Sequence, residues 1–279
     1  MESPGECRSG FAVVDVETTG FSPEEERIIE VGVVILDPAG VELSTFCTLV
    51  DPDCHPGPTH IHGISAAMLA GAPTFAAIQP FLADQLSGRV VVGHNVDGFD
   101  LAFLRAECRR TGGEDLVPGY VPTVDTLEVA QRHLGLQGRA RLVDCCTHFG
   151  LSWDDHHSAL GDARVTAALL RSMRRHVGDD TLHMVEVLDQ AQGSVWPGAS
   201  GAPPVVRGRG DVSTRGRWLH ASLRHLRKLR LGRLHRRSAA SPLTEAITSS
   251  YGAPSGEVAV TTTAVAPSVV TAGIITERP

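Results

Sequence analysis

The chain has 279 residues, of which 42% are apolar and 5% aromatic, and its formal net charge is −7. These values predict a globular protein with one large domain, or with a domain and an appendage. The sequence has no run of about 18 apolar residues and no basic start followed by an apolar core, so we expect no membrane span and no secretion signal. Its six cysteines form no C-x-x-C pair, which disfavours a zinc site or a disulfide framework and favours a reducing, cytoplasmic environment.

The charge is unevenly distributed along the chain. Residues 1–190 carry 13 basic and 28 acidic side chains, whereas residues 191–279 carry 12 and 4. This split predicts an acidic folded domain followed by a basic appendage.

Three apolar stretches predict three strands near the start of the chain. The first begins with four apolar residues at 11–14, and the next two occupy residues 27–36 and 41–50. The stretch DPAG between the second and third strands has the Asp, Pro and Gly typical of a turn. We therefore expect the sheet to start with three antiparallel strands.

Strands and helices then alternate. An apolar strand is predicted at residues 89–94, and a brief strand running into a helix at 122–135. Helices are predicted at residues 73–88, 99–112, 140–151 and 159–178. Antiparallel strands followed by this alternation predict an α/β fold, with a mixed sheet that continues in parallel strands and is flanked by helices.

The composition changes near residue 190. Residues 179–190 are predicted to form a terminal helix and residues 191–214 a linker rich in Gly and Pro. Residues 215–237 form a strongly basic amphipathic segment, for which nucleic-acid backbone, an anionic membrane surface or plain solvent are the candidate surroundings. Residues 238–279 offer little to bury, and we expect them to be disordered.

Two acids stand at the end of the first predicted strand. Asp15 and Glu17 are separated only by Val16, and because strand side chains alternate, both carboxylates point to the same side. Like charges this close repel unless a positive group lies between them. The pair indicates either a divalent-cation site or a strand end exposed to solvent.

Two further clusters place acids and histidines in apolar surroundings. After the strand at 89–93, the sequence GHNVDGFD contains His94, Asn95, Asp97 and Asp100. Farther on, His157 precedes Asp162 by five residues. Each cluster alone has an ordinary explanation, such as an acid favoured at a helix N-terminus. Three such clusters in one chain make the ordinary explanations improbable together.

These motifs, in this order, resemble the DEDD-type 3′→5′ exonucleases of the histidine variant, a family that includes the proofreading epsilon subunit of bacterial DNA polymerase III. The stretches that carry the resemblance are DVETTG at 15–20, GHN with FD at 99–100, and H-x-A-x-x-D at 157–162, supported by IHGIS at 61–65, PTF at 73–75 and DTL at 125–127. The resemblance implies an exonuclease domain over residues 9–178 with a ribonuclease H-like fold.

The resemblance also implies a two-metal mechanism. Asp15, Glu17, Asp100 and Asp162 would hold two divalent cations, Mg²⁺ or Mn²⁺, which prefer hard oxygen ligands. His157 would accept the proton of the attacking water, for which an imidazole is suited near neutral pH.

For the substrate, the resemblance implies a frayed, single-stranded 3′ end, held by stacking and backbone contacts. The groups expected to hold the terminal nucleotide lie around Thr18, Thr19 and Gly20 and in the segment of His62. For His62 a loop histidine bonded to the backbone is an equally good interpretation.

The second motif departs from the family pattern. The family usually has H-N-x-x-F-D, whereas this chain has H-N-V-D-G-F-D, one residue longer. The continuation FDLAFL favours Asp100 as the motif acid, and Asp97 is the competitor.

The leading hypothesis is therefore a metal-dependent 3′→5′ exonuclease that acts on DNA in replication or repair, alone or as a polymerase subunit. An RNA-trimming exonuclease of the same family stays open. A catalytically inactive nucleic-acid or polymerase-binding module is disfavoured, because all four acids and the histidine are present. Beside such a domain, we favour nucleic acid as the partner of the basic segment.

Overall fold

The computed structural model describes residues 9–112, 118–136, 140–153 and 157–211. The predicted basic segment 215–237 and the predicted disordered tail 238–279 lie outside the described residues. Among the described helices, none is long and apolar enough to cross a membrane.

Five strands form one sheet in the order β3-β2-β1-β4-β5. The strands are β1 (Phe11–Thr18), β2 (Ile28–Leu36), β3 (Glu42–Leu49), β4 (Val90–Gly93) and β5 (Thr123–Asp125). Strand β2 pairs antiparallel with β1 and β3, whereas β4 pairs parallel with β1 and β5. The predicted mixed sheet, antiparallel first and then parallel, is confirmed.

Eight helices are present in the described residues. They are α1 (Thr59–His62), α2 (Ala66–Leu69), α3 (Phe75–Leu86), α4 (Asp100–Arg110), α5 (Thr126–His133), α6 (Leu142–Phe149), α7 (Ala159–Val177) and α8 (Met184–Gln192). Helices α3 to α7 lie where the apolar patterns predict them, and the one-turn helices α1 and α2 were not predicted. Helix α8 begins later than the predicted 179–190, because turns occupy the residues before it and His183 has a left-handed φ of 52°.

The core lies on both faces of the sheet. On one face, Ala163, Ala167 and Leu170 of α7 pack with Phe11 and Val13 of β1. On the other face, α3 and α4 pack against the side chains of β1 and β2 that point the opposite way. Every residue of β2 is buried, as expected for a strand with neighbours on both edges and helices on both faces.

Residues 193–211 follow α8 and include most of the segment predicted as a linker. They pack against the domain: Trp196 is only 3% exposed and belongs to the same apolar cluster as α3. The Gly and Pro content of this stretch therefore accompanies an ordered, irregular chain, because Trp196 supplies the apolar area that anchors it.

Candidate metal centre

Three of the predicted ligands meet at the carboxyl end of β1, the central strand of the sheet. Asp15 and Glu17 lie on β1 opposite Gly32 and Glu30 of β2, and Asp162 lies in the first turn of α7. One carboxylate oxygen from each of Asp15, Glu17 and Asp162 lies within 4.8 Å of the other two. Oxygens at this spacing can bind one cation in common.

Close packing between β2 and α7 brings Asp162 to this end of β1. A Cβ added to Gly32 would lie 2.3 Å from the carbonyl carbon of Ala159, so only glycine allows α7 to start this near to the strand. The backbone N–H of Ala159 donates to Glu30 Oε2 over 2.9 Å. The hydroxyl of Ser158 caps the helix by accepting from the N–H of Gly161 at 3.1 Å.

Asp100 lies beside this group but is not one of the three acids that converge. Its side chain is 4% exposed, and Oδ1 accepts a hydrogen bond from the N–H of Val16 at 3.0 Å. That bond fixes the Asp100 carboxyl next to β1, because Val16 is the residue between Asp15 and Glu17. Asp97 is exposed and accepts from Thr123 Oγ1 at 2.9 Å, on the side of β5.

The additional residue in the second motif is accommodated in the turn before α4. Val96 is fully buried in the core, whereas Asp97 and Gly98 are exposed. The N–H of Phe99 closes the turn by donating to the carbonyl of Asn95 at 2.9 Å. The longer turn therefore projects into solvent and leaves Asp100 at the start of α4.

Asp15, Glu17 and Asp100 have raised pKa values. Burial, followed by repulsion from Asp100, Asp162, Glu17 and Glu30, raises the pKa of Asp15 well above its usual range. Burial raises the pKa of Asp100 to about 8 and that of Glu17 to about 7, the latter against the opposing effect of Arg209. A bound divalent cation would remove this penalty, because it compensates the negative charges that burial and repulsion disfavour.

His157 stands at the entrance to α7, two residues before the helix begins. It is exposed and has a left-handed φ of 60°, an uncommon conformation for a residue other than glycine. His157 directly precedes the capping residue Ser158, so it lies at the same end of α7 as Asp162.

The predicted nucleotide-binding turn after β1 uses its own hydroxyls internally. Thr18 Oγ1 donates to the carbonyl of Gly20 at 2.6 Å. The hydroxyl of Thr19 donates to the carboxylate of Glu26 and accepts from the N–H of Arg27. A Cβ on Gly20 would lie 2.7 Å from the Glu26 side chain. The turn is thus closely packed, and a ligand would meet its backbone more readily than its hydroxyl groups.

The two other histidines of the motifs are tied to the protein. His62, the last residue of α1, is 2% exposed, burial lowers its pKa, and its Nδ1 accepts from the N–H of Ile64 at 3.1 Å. The ring of His94 lies between Thr126 Oγ1, at 2.9 Å, and the carbonyl oxygen of Ala140, at 2.7 Å.

Three residues at the site have no place in the predicted set. Glu30 lies in the apolar stretch IIEVG, from where the sequence suggests that it could support the site without being a catalytic residue, and it anchors α7 as described above. Trp153 Nε1 donates to Asp162 Oδ1 at 2.8 Å, and Arg209 forms an ion pair with Glu30. Nothing in the sequence links Arg209 to the acids, because it follows them by many residues in a stretch rich in glycine and proline.

The matched family model is described as an exonuclease and covers residues 12–170, more than half of the chain. This chain belongs to that exonuclease family. The predicted resemblance to these exonucleases is confirmed, and the matched region contains all four acids and His157.

Relatives by sequence include subunits of DNA polymerases. The DNA polymerase III epsilon subunit of Treponema pallidum is 36% identical over 182 residues, which are 63% of this chain and 81% of that protein. The epsilon subunit of Aquifex aeolicus is 30% identical over 57% of this chain and 77% of its own length. A PolC-type DNA polymerase III of Clostridium perfringens is 31% identical over 64% of this chain, but the match spans only 12% of that larger protein.

Solved exonuclease structures share the fold at low identity. An exonuclease I structure superposes with a TM-score of 0.56 at 19% identity, covering 63% of this chain and 43% of its own. The nuclease domain of 3′hExo, a DEDDh family member bound to rAMP, has a TM-score of 0.51 at 19% identity, covering 60% and 92%. The predicted ribonuclease H-like architecture is confirmed by these likenesses.

Proposed function

We propose that this exonuclease-family protein removes nucleotides from the 3′ end of DNA as 5′-monophosphates, in the 3′→5′ direction. The observation that carries the proposal is the meeting of Asp15, Glu17 and Asp162 within 4.8 Å, with Asp100 buried beside them. The relatives named as epsilon subunits support DNA as the substrate and a DNA polymerase as the partner, in replication or repair.

The acids fit divalent cations of the Mg²⁺ or Mn²⁺ type. All four are carboxylates, which such ions prefer, and the raised pKa values of Asp15, Glu17 and Asp100 show that burial and mutual repulsion disfavour their negative charge. We assign Asp15, Glu17, Asp100 and Asp162 as the ligands of two cations. When bound, such a pair of ions supplies an activated water and neutralises charge on the phosphoryl group.

His157 is the proposed general base. Its place before α7 puts the imidazole in solvent at the end of the helix that carries Asp162. From there it can accept the proton of the attacking water and pass it to solvent. The proposed binding site of the terminal nucleotide is formed by the backbone of Thr18, Thr19 and Gly20 and by the His62 segment.

An oligonucleotide assay tests the proposal. With Mn²⁺ or Mg²⁺, a 5′-labelled single strand of DNA should give a ladder of shortening products, whereas a 3′-labelled strand should release labelled mononucleotide from the start. EDTA should stop both reactions, and Asp162→Asn should lower turnover by more than about 100-fold. Shortening from the 5′ end, or activity that survives EDTA, would contradict it, and the same strand made of RNA tests the alternative substrate.

A further inference from the structure

Residues 193–211, which we call the return segment, run from α8 back across the domain to the acids. The carbonyl of Ser194 accepts from the N–H of Gly88 at 2.8 Å, and the N–H of Trp196 donates to Ser87 Oγ at 3.0 Å. The N–H of Ser200 then donates to the carbonyl of Pro80 at 2.8 Å. The first half of the segment is thus fixed along α3.

The second half of the segment pairs with the edge strand β3. The N–H of Leu49 donates to the carbonyl of Arg207 at 2.8 Å, and the N–H of Arg207 donates to Thr48 Oγ1 at 3.0 Å. The side chain of Arg207 donates to the carbonyl of Met68 at 2.7 Å. The two bonds of the Arg207 backbone, which do not depend on its side chain, hold this part of the segment in the position from which Arg209 reaches Glu30.

Arg209 lies between two acids that face each other on neighbouring strands. Its Nε and Nη2 atoms donate to the two oxygens of Glu30 at 2.8 and 2.7 Å, and Nη2 is 3.9 Å from Glu17 Oε1. Its third nitrogen, Nη1, donates to the carbonyl of His62 at 2.7 Å. Like charges opposite each other in a sheet are destabilising, so the guanidinium stabilises this pairing of strands.

Glu30, the ion-pair partner of Arg209, also holds the start of α7, the helix that carries Asp162. Glu30 is 2% exposed, and Oε2 accepts from both Arg209 and the N–H of Ala159. A buried carboxylate that loses its cation is left uncompensated and must protonate or move. Either change would disturb the hydrogen bond that places the start of α7.

We propose that Arg209 is a positioning residue of the exonuclease site, which fixes the start of α7 through Glu30 and holds Glu17 and the His62 segment by direct contacts. The residue lies outside the family match, which ends at residue 170, so the return segment completes a site that the family domain builds only in part. The inference rests on the proposed exonuclease function for its activity readout, but its charge readout is independent of that function.

Four full-length variants test the inference: Arg209→Ala, Glu30→Gln, the double variant with both changes, and Arg207→Ala as the matched control. Arg209→Ala should lower turnover of a short oligonucleotide by about 10- to 100-fold with a smaller change in KM, because a small misplacement of reacting groups is costly. The double variant should regain at least about tenfold of that loss, since it removes the unpaired charge while the Gln amide oxygen still accepts from Ala159. Arg207→Ala should stay within about twofold of the parent.

The second readout is the rise in melting temperature that Mn²⁺ alone produces in each variant. Arg209→Ala removes the positive charge that lies 3.9 Å from Glu17, so its rise with Mn²⁺ should exceed that of the parent, and the double variant, which also removes the negative charge of Glu30, should return to the parent value. If oligonucleotides of either sugar are left uncut by the parent, the proposed function fails while this comparison still decides the charge role of Arg209. Equal turnover in Arg209→Ala and the parent, equal losses in Arg209→Ala and Arg207→Ala, or a double variant as slow as Arg209→Ala would overturn the inference.

Discussion

Asp97 and Asp100 are close in sequence, but their carboxyl groups have different surroundings. Asp100 is buried, accepts from the N–H of Val16 and contributes to the raised pKa of Asp15. Asp97 is exposed and bonds to Thr123. The negative charge around Asp15 therefore depends on Asp100. Asp97, in the longer turn, bonds to Thr123 instead.

Exchanging each of these acids for its amide tests this assignment. Asp100→Asn keeps an oxygen for the N–H of Val16 but removes a charged ligand, so turnover should fall by about 100-fold or more. Asp97→Asn keeps an acceptor for Thr123 and should leave turnover within a few-fold of the parent. Turnover measured across a Mn²⁺ titration compares the two. An inactive Asp97→Asn beside an active Asp100→Asn would mean that the second motif acid is assigned three residues too late.

At the level of single residues, the sequence predicts the acids better than their supports. Asp15 and Glu17 can be recognised because strand alternation alone places them on one side. The role of Glu30 depends on α7, and that of Arg209 on a chain that returns across α3 and β3. Such contacts join residues far apart in sequence, and local patterns carry no information about them.

Among the elements, α7 and β2 determine the geometry of the cluster. The long helix is predictable from its apolar spacing, and β2 from its mostly apolar sequence IIEVGVVIL. Their close approach is less evident, because it depends on the missing side chain of Gly32. The same limit applies to residues 193–211, where a single buried Trp196 outweighs the Gly and Pro content that predicted a linker.

Gly32→Ala tests the importance of this approach. The new methyl group would lie 2.3 Å from the Ala159 carbonyl carbon and 2.4 Å from its oxygen, so the backbone of α7 must shift. We expect a loss of about 1–3 kcal/mol in the free energy of unfolding and a lower turnover in the molecules that stay folded.

Urea unfolding and turnover per folded molecule measure the two effects, with Gly119→Ala as the matched control. A Cβ at Gly119 meets nothing within 4 Å, so that variant should stay within about 0.5 kcal/mol of the parent. If Gly32→Ala unfolds at the same urea concentration as Gly119→Ala and keeps full turnover, α7 does not depend on this contact.

For the whole molecule, the acid cluster links folding to protons and cations. In the unfolded chain Glu17 and Asp100 titrate near their ordinary values of 4.5 and 3.8, whereas in the folded chain they titrate at about 7 and about 8. Between these values the folded protein binds more protons than the unfolded chain. Its stability without divalent cations must therefore fall as the pH rises through this range.

The resulting prediction concerns melting temperatures measured in EDTA and in saturating Mg²⁺. In EDTA, the melting temperature should fall by about 5–10 °C between pH 5.5 and pH 8.5. The rise produced by Mg²⁺ should grow over the same interval, because the cation binds the ionised acids and replaces the protons that they lose.

Asp100→Asn should melt at a higher temperature than the parent in EDTA at pH 8, and its melting temperature should fall less steeply with pH. Asp97→Asn keeps the buried acids and all the histidines of the parent, so its melting temperature should fall with pH as steeply as that of the parent. This variant therefore distinguishes the effect of the buried acids from that of the other ionisable groups. A parent protein whose melting temperature in EDTA stays level or rises up to pH 8.5 would show that the acids are not held together as the structure has them.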